Sequence, residues 1–100
     1  MTAKGGYVYI VSNYNRTVLY TGVTANLARR SYQHKFGEGS EFTKKYKCTD
    51  LIFFQFFESI EEAIIREKQI KKWKRDWKIK LIKEQNPSFK DLYDEVADFK

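Results

Sequence analysis

Glu67 is the carboxylate of this 100-residue chain whose position solubility explains least. It falls four residues after Ala63, three after Ile64 and three before Ile70, inside an apolar stripe of helical spacing. That spacing turns it toward whatever the stripe packs on. A lone buried charge is expensive, so such a carboxylate must be paired, protonated or bound to a metal ion. Pairing with Lys71, one turn further on, would meet the requirement with no chemistry at all.

Arg30 and His34 are four residues apart and share one helix face, with Leu27 one turn before Arg30. A planar guanidinium there can grip a phosphate or close a structural ion pair. His34 can act on a proton or complement the helix end. Tyr7 and Tyr9 point to one side of a strand, and Tyr20 belongs to the next. Each can be plain core. Gly22 before a helix permits close backbone approach or a positive φ. Other chemistries lack parts. Cys48 and His34 are the sole Cys and His, which excludes an internal disulfide and leaves too few ligands for structural zinc. Gly37-Glu38-Gly39 lacks the spacing of a phosphate-binding loop, and no nucleophile elbow surrounds a serine.

These residues need elements to hold them. Gly5-Gly6 leads into Tyr7–Val11, a continuous β-branched and aromatic run that reads as a strand buried on both faces. Ser12–Arg16 is turn-rich, and Thr17–Thr21 reads as a second strand ended by Gly22. Thr24 or Asn26 can cap a helix over Leu27–Lys35. Residues 36–50 read as a charged, mobile loop, and Leu51–Phe57 as the third strand. Ser59 with Glu62 forms a capping box for a helix carrying Ile60, Ala63, Ile64, Ile70 and Trp73 on its stripe. Trp77, Leu81 and Ile82 continue helical spacing to Gln85, with Asp76 able to cap a second helix after a bend. Asn86-Pro87 stops it. Ser88 starts a last helix with Phe89, Leu92, Tyr93 and Val96 on one face. The predicted fold class is α+β: a small three-stranded, largely antiparallel sheet flanked by helices, in the order ββαβαα plus a short C-terminal helix. One domain fills residues 1–100, with its core at 5–87 and an acidic helix at 88–100.

Composition supports a self-sufficient core: 42% of residues are hydrophobic and 17% aromatic, which argues against disorder. No apolar run reaches the roughly 20 residues a membrane span requires. Met1–Lys4 reads straight into the first strand without an apolar signal segment, so the expected location is cytoplasmic. The net charge is +6. Arg66–Lys83 carries nine Lys or Arg against Glu67 and Asp76, a net of +7, and the rest of the chain nets −1. A field so concentrated suits a polyanion, although a solvated lysine-rich helix face has the same composition.

Together the residues resemble the GIY-YIG nuclease family, most closely its small standalone bacterial members. Tyr7-Val8-Tyr9 stands where that family has Gly-Ile-Tyr, and Tyr20-Thr21-Gly22 where it has Tyr-Ile-Gly. The run from Tyr20 to Arg30 resembles the second motif with its helix arginine, Glu67–Trp73 the segment with a metal-binding glutamate, and Asn86 a late asparagine. The likeness spans residues 5–87. It departs at Tyr7, in place of the first glycine, and at Val23, where some repair-type members carry a lysine.

The resemblance implies an endonuclease that hydrolyses phosphodiester bonds in nucleic acid, DNA favoured over RNA, with structure-directed or weak sequence specificity. In that reading Glu67 binds one Mg²⁺ or Mn²⁺ beside the scissile phosphate. Tyr9 or Tyr20 helps deprotonate the attacking water. An unperturbed Tyr, with a pKa of about 10, needs nearby positive charge for that task. Arg30 stabilises the transition state and His34 relays a proton or binds phosphate. Gly22, Lys68, Lys71, Lys72, Lys74 and Arg75 hold the nucleic acid. Two other readings stand beside it. One is a nucleic-acid-binding module that kept the fold without useful turnover. The other is a protein-interaction domain using the acidic tail at Asp91, Asp94, Glu95 and Asp98.

Overall fold

The computed structural model describes residues 5–99. The readings of Met1–Lys4 as strand entry and of Lys100 as the end of the last helix lie outside the described residues. Strands β1 (Gly6–Ser12), β2 (Leu19–Thr24) and β3 (Asp50–Phe57) form one antiparallel sheet in the order β2-β1-β3. The helices are α1 (Leu27–Lys35), α2 (Glu41–Lys45), α3 (Ile60–Lys72), α4 (Arg75–Gln85) and α5 (Tyr93–Val96). This is the predicted α+β class with one helix more than expected. No helix among the described residues is long and apolar enough to cross a membrane.

The unbroken apolar run of β1 has a simple cause. It is the central strand and both of its faces are covered. Val8 and Ile10 pack with Ile52, Phe53, Ala63, Ile70 and Ile82 under α3 and α4. Tyr9 and Val11 pack with Leu27, Cys48, Leu51, Leu92 and Val96 on the other face. A register shift against β3 falls between Ile10 and Val11, where Ile10 opposes Phe53 and Val11 opposes Leu51. Such a bulge increases local twist.

The caps read from the sequence form at two helices. Asn26 accepts from the Arg29 N–H at 3.0 Å and opens α1, and Ser59 accepts from the Glu62 N–H at 3.1 Å and opens α3. At α4 the expectation fails: Lys74 occupies the N-cap position with no side-chain cap, and Asp76 lies inside the first turn. Strand β2 runs through Gly22 to Thr24 instead of ending at it. The loop expected at 36–50 contains α2, opened by Ser40, whose hydroxyl accepts from the Thr43 N–H at 3.2 Å. On α3 the buried residues are Ala63, Glu67 and Ile70, while Ile64 is exposed. The break after Lys72 re-aims α4, so Ile82 is buried and Trp77 is exposed.

Ser88 starts no helix. The Asn86 amide donates to the carbonyls of Ile52 at 3.0 Å and Lys90 at 2.8 Å, and accepts from the Lys90 N–H at 3.2 Å. The turn this closes holds Phe89 at φ 55°, outside helical space, so only Tyr93–Val96 coil. Polar groups of this segment also seal the open edge of β3. Gln85 brackets Phe54, donating to its carbonyl at 2.7 Å and accepting from its N–H at 3.1 Å. Asp91 accepts from the Leu51 N–H at 3.0 Å. The edge therefore offers few free backbone groups to another strand.

Candidate active site

Tyr9 sits at the middle of β1, directly opposite Gly22 on β2. Its phenol lies across Gly22, and a methyl group at that position would overlap the ring and hydroxyl. Glycine is therefore required by the tyrosine across the sheet, not by a positive φ, since Gly22 has none. The hydroxyl so directed reaches α1. It lies 2.9 Å from His34 Nε2 and accepts from Arg30 Nε at 3.3 Å. Arg30 also donates to Gln33 Oε1 at 2.7 Å. The four-residue spacing of Arg30 and His34 is what lets both meet one atom.

Proton positions follow from the donors. Arg30 can only donate, so the phenol oxygen accepts there and its proton is aimed at His34 Nε2. Neutral His34 then carries its own proton on Nδ1, which is buried and has no hydrogen-bond partner among the described residues. Nδ1 faces the backbone of Gly39, where a side chain would overlap it and Thr43 Oγ1. Burial, with Arg30 beside it, lowers the His34 pKa to about 4, so the ring is neutral at pH 7. Burial raises the Tyr9 pKa, Arg30 pulls it back, and the charges of Tyr20 and Glu67 push it further up.

Tyr20 stacks on Phe42 at 5.7 Å between centroids and 28° between planes, and lies 6.0 Å from the His34 ring. The Lys71 ammonium stands 5.9 Å from the centre of the Tyr20 ring. Lys71 also pairs with Glu67 at 2.5 Å. Glu67 is 8% exposed, so the stripe placed it inward as expected, and the Lys71 pairing considered from sequence is present as well. Tyr9, Tyr20, Arg30, His34, Gly22, Lys71 and Glu67 thus form one continuous set of contacts.

The remaining basic residues do not join it. Lys68, Lys72 and Lys74 are exposed, and Arg75 donates to the Arg16 carbonyl at 3.0 Å. Tyr7 packs on Phe56 and Phe99 instead. The acidic tail is partly committed: Asp91 binds Lys35 and the Leu51 N–H, and Glu95 lies 3.5 Å from Lys90. Sequence reasoning missed Phe42, Thr43 and Gly39. The available signal was Ser40 followed by Glu41, an N-cap with an acidic first turn, obscured by the glycines before it.

Among the described residues no three His, Cys, Asp or Glu side chains gather as a metal cage. The carboxylate of Glu67 is the donor present at the cluster. That set fits Mg²⁺, which commonly takes one or two carboxylates and completes its shell with water and substrate phosphate. It does not fit a structural zinc, and Cys48 is buried in the core, where burial raises its pKa.

A sheet whose central tyrosine faces a glycine, with an arginine-bearing helix after the second strand and a glutamate on the next long helix, defines a class. The sequence profile described as "GIY-YIG catalytic domain" matches residues 5–80. The chain belongs to the GIY-YIG family, a family of nuclease-type domains. Within it, the chain is similar to proteins described as UPF0213. One from Staphylococcus haemolyticus is 39% identical over 79% of this chain and 95% of its own length. One from Clostridium perfringens is 42% identical over 76% of this chain and 81% of its own. The solution NMR structure of a UPF0213 protein from Bacillus halodurans superposes with a TM-score of 0.57 at 28% identity, covering 88% of this chain and 93% of that one.

Proposed function

We propose that the protein is a divalent-metal-dependent endonuclease acting on DNA in preference to RNA, with structure-directed or weak sequence specificity. The observation that carries this reading is the Tyr9 hydroxyl, held between a donor that can only donate and a neutral imidazole that can accept. A phosphate entering beside Arg30 meets its guanidinium, which stabilises the charge that builds on the phosphoryl oxygens. Water attacking the phosphorus gives its proton to the Tyr9 oxygen as the Tyr9 proton passes to His34 Nε2. The ester P–O bond opposite the incoming oxygen breaks, and the departing sugar oxygen takes a proton from solvent. The phenol relays a proton without becoming a phenolate, which its raised pKa would oppose. The phosphate charge offsets that of Arg30 and makes His34 a better base than it is in the free protein. Tyr20 packs beside the imidazole ring. Glu67 would hold Mg²⁺ or Mn²⁺, which supplies Lewis acidity and neutralises phosphate charge when bound. Lys68, Lys72, Lys74 and Arg75 hold the phosphate backbone and read no sequence.

The pair Lys71–Glu67 favours a second reading, a binding module with little turnover, because the carboxylate already has a cation. Incubation of wild type and Glu67→Ala with branched, nicked and single-stranded DNA, in Mg²⁺ and in EDTA, separates the two. The endonuclease reading requires Mg²⁺-dependent cleavage by wild type, absent from Glu67→Ala, which still binds. Binding with identical background cleavage by both proteins leaves the module.

A further inference from the structure

Arg66 and Glu67 are consecutive, and a helix turns about 100° per residue. One helix therefore presents Glu67 to the cluster above and Arg66 to a different place. That place is a cavity of about 320 Å³ lined by Arg66, Trp73, Trp77, Lys80, Leu81 and Glu84. Its volume falls in the range of small-ligand clefts. Trp73 and Trp77 meet edge to face at 5.9 Å and 73°. Arg66 covers Trp73 at 5.0 Å from the ring centre. Trp73 packs against the core, but Trp77 is 59% exposed.

A large exposed indole is not there for solubility, and here it is bordered by cations within the most basic stretch of the chain. Aromatic faces beside Lys and Arg recognise unpaired nucleotides, because the base stacks while the cations take the phosphates. Glu84, the one acid on the lining, can accept from the exocyclic amine of a base. We infer that the Trp73–Trp77 cavity is a stacking subsite for an unpaired nucleobase, with Trp77 as platform and Arg66 and Lys80 holding the flanking phosphates. The inference rests on the nucleic-acid reading of the cluster and adds to it the substrate class: DNA with a single-stranded segment, engaged away from the scissile phosphate.

The two tryptophans of the chain both line this cavity, so its tryptophan emission reports on the subsite alone. The test titrates the full chain in EDTA with oligodeoxycytidylate and with an abasic oligomer of equal length, which has the same phosphates and no bases. The subsite predicts saturable quenching and tighter binding by the oligodeoxycytidylate. Trp77→Ala should weaken that binding about five-fold or more, and Trp77→Tyr should restore it. Equal binding of the two oligomers, or unchanged affinity in Trp77→Ala, overturns the inference and leaves the cleavage reading standing. Binding of neither oligomer also overturns the inference, while the cleavage reading is judged separately on branched and nicked DNA. Because EDTA holds cleavage off, loss of turnover in a Glu67 variant does not affect the result.

Discussion

Two regions of this small domain bury polar side chains, and they do so in opposite ways. At the β3 edge, buried Asn86 spends its hydrogen bonds on backbone groups of Ile52 and Lys90, and half-buried Asp91 binds the Leu51 and Tyr93 N–H groups and Lys35. At the centre of the sheet, Tyr9 and His34 bond to each other and to Arg30, His34 keeps an unpartnered Nδ1, and both have displaced pKa values. Polar groups that close every bond hold a fold together. Polar groups left reactive and desolvated mark candidate sites of chemistry. The difference between the regions is more informative than burial in either.

Substitutions should break the two regions differently. Arg30→Ala is expected to lower the cleavage rate about 10²–10³-fold, as loss of a preorganised donor to a developing charge does. Single-turnover cleavage checks this, and a loss below ten-fold would place Arg30 in binding alone. Asn86→Leu should destabilise the fold by about 3 kcal/mol, because it removes three hydrogen bonds and strands the groups that made them. Urea denaturation measures it, and the folded fraction should keep its specific activity.

A pH experiment compares the regions in one protein. The His34 pKa is depressed in the folded state, so between its ordinary value and about 4 the unfolded chain binds the extra proton. Stability should therefore fall as pH drops through that window, by up to about 3 kcal/mol. His34→Gln should flatten the profile there, and an unchanged slope would remove His34 as its cause. Asp50 has the same sign at lower pH, because its folded pKa is also depressed. Burial opposes its ionisation, but Arg16 at 2.8 Å and Lys35 hold its pKa below the usual carboxylate value. Its contribution is present at neutral pH and is lost only as pH falls through that lowered value. The smallest effect belongs to Lys71→Met. Lys71 itself is half exposed, but its loss leaves the buried Glu67 carboxylate without a cation, so stability should fall by about 2 kcal/mol, measured by the same denaturation.

What could be read from sequence depended on how local its cause was. The continuous run of β1, the Asn26 and Ser59 caps and the inward placement of Glu67 each follow from a few neighbouring residues. Helix α2 is five residues long, too short to show a period. Gly22 does not end its strand as the sequence suggests, because the reason for a glycine there, the Tyr9 ring, comes from the neighbouring strand. The C-terminal segment departs from its helical pattern because Asn86 bonds to Ile52, 34 positions away, and the resulting turn displaces Phe89 from helical space. Within the candidate site, motif spacing pointed to Tyr9, Arg30 and Glu67. The packing of Phe42, Gly39 and Thr43 around Tyr20 and His34 needed the fold.

The central claim is that the Tyr9 hydroxyl is held for proton transfer, beyond what its hydrogen bonds contribute to stability. Tyr9→Phe removes that oxygen and little else. Measured together by single-turnover cleavage of nicked DNA in Mg²⁺ and by thermal unfolding, the variant should cut about 10²–10⁴-fold more slowly per folded molecule. Its stability should fall only by the roughly 1–3 kcal/mol that the lost buried hydrogen bonds cost. A variant that cuts at the wild-type rate, or that loses activity only in proportion to its loss of folded protein, would contradict the account.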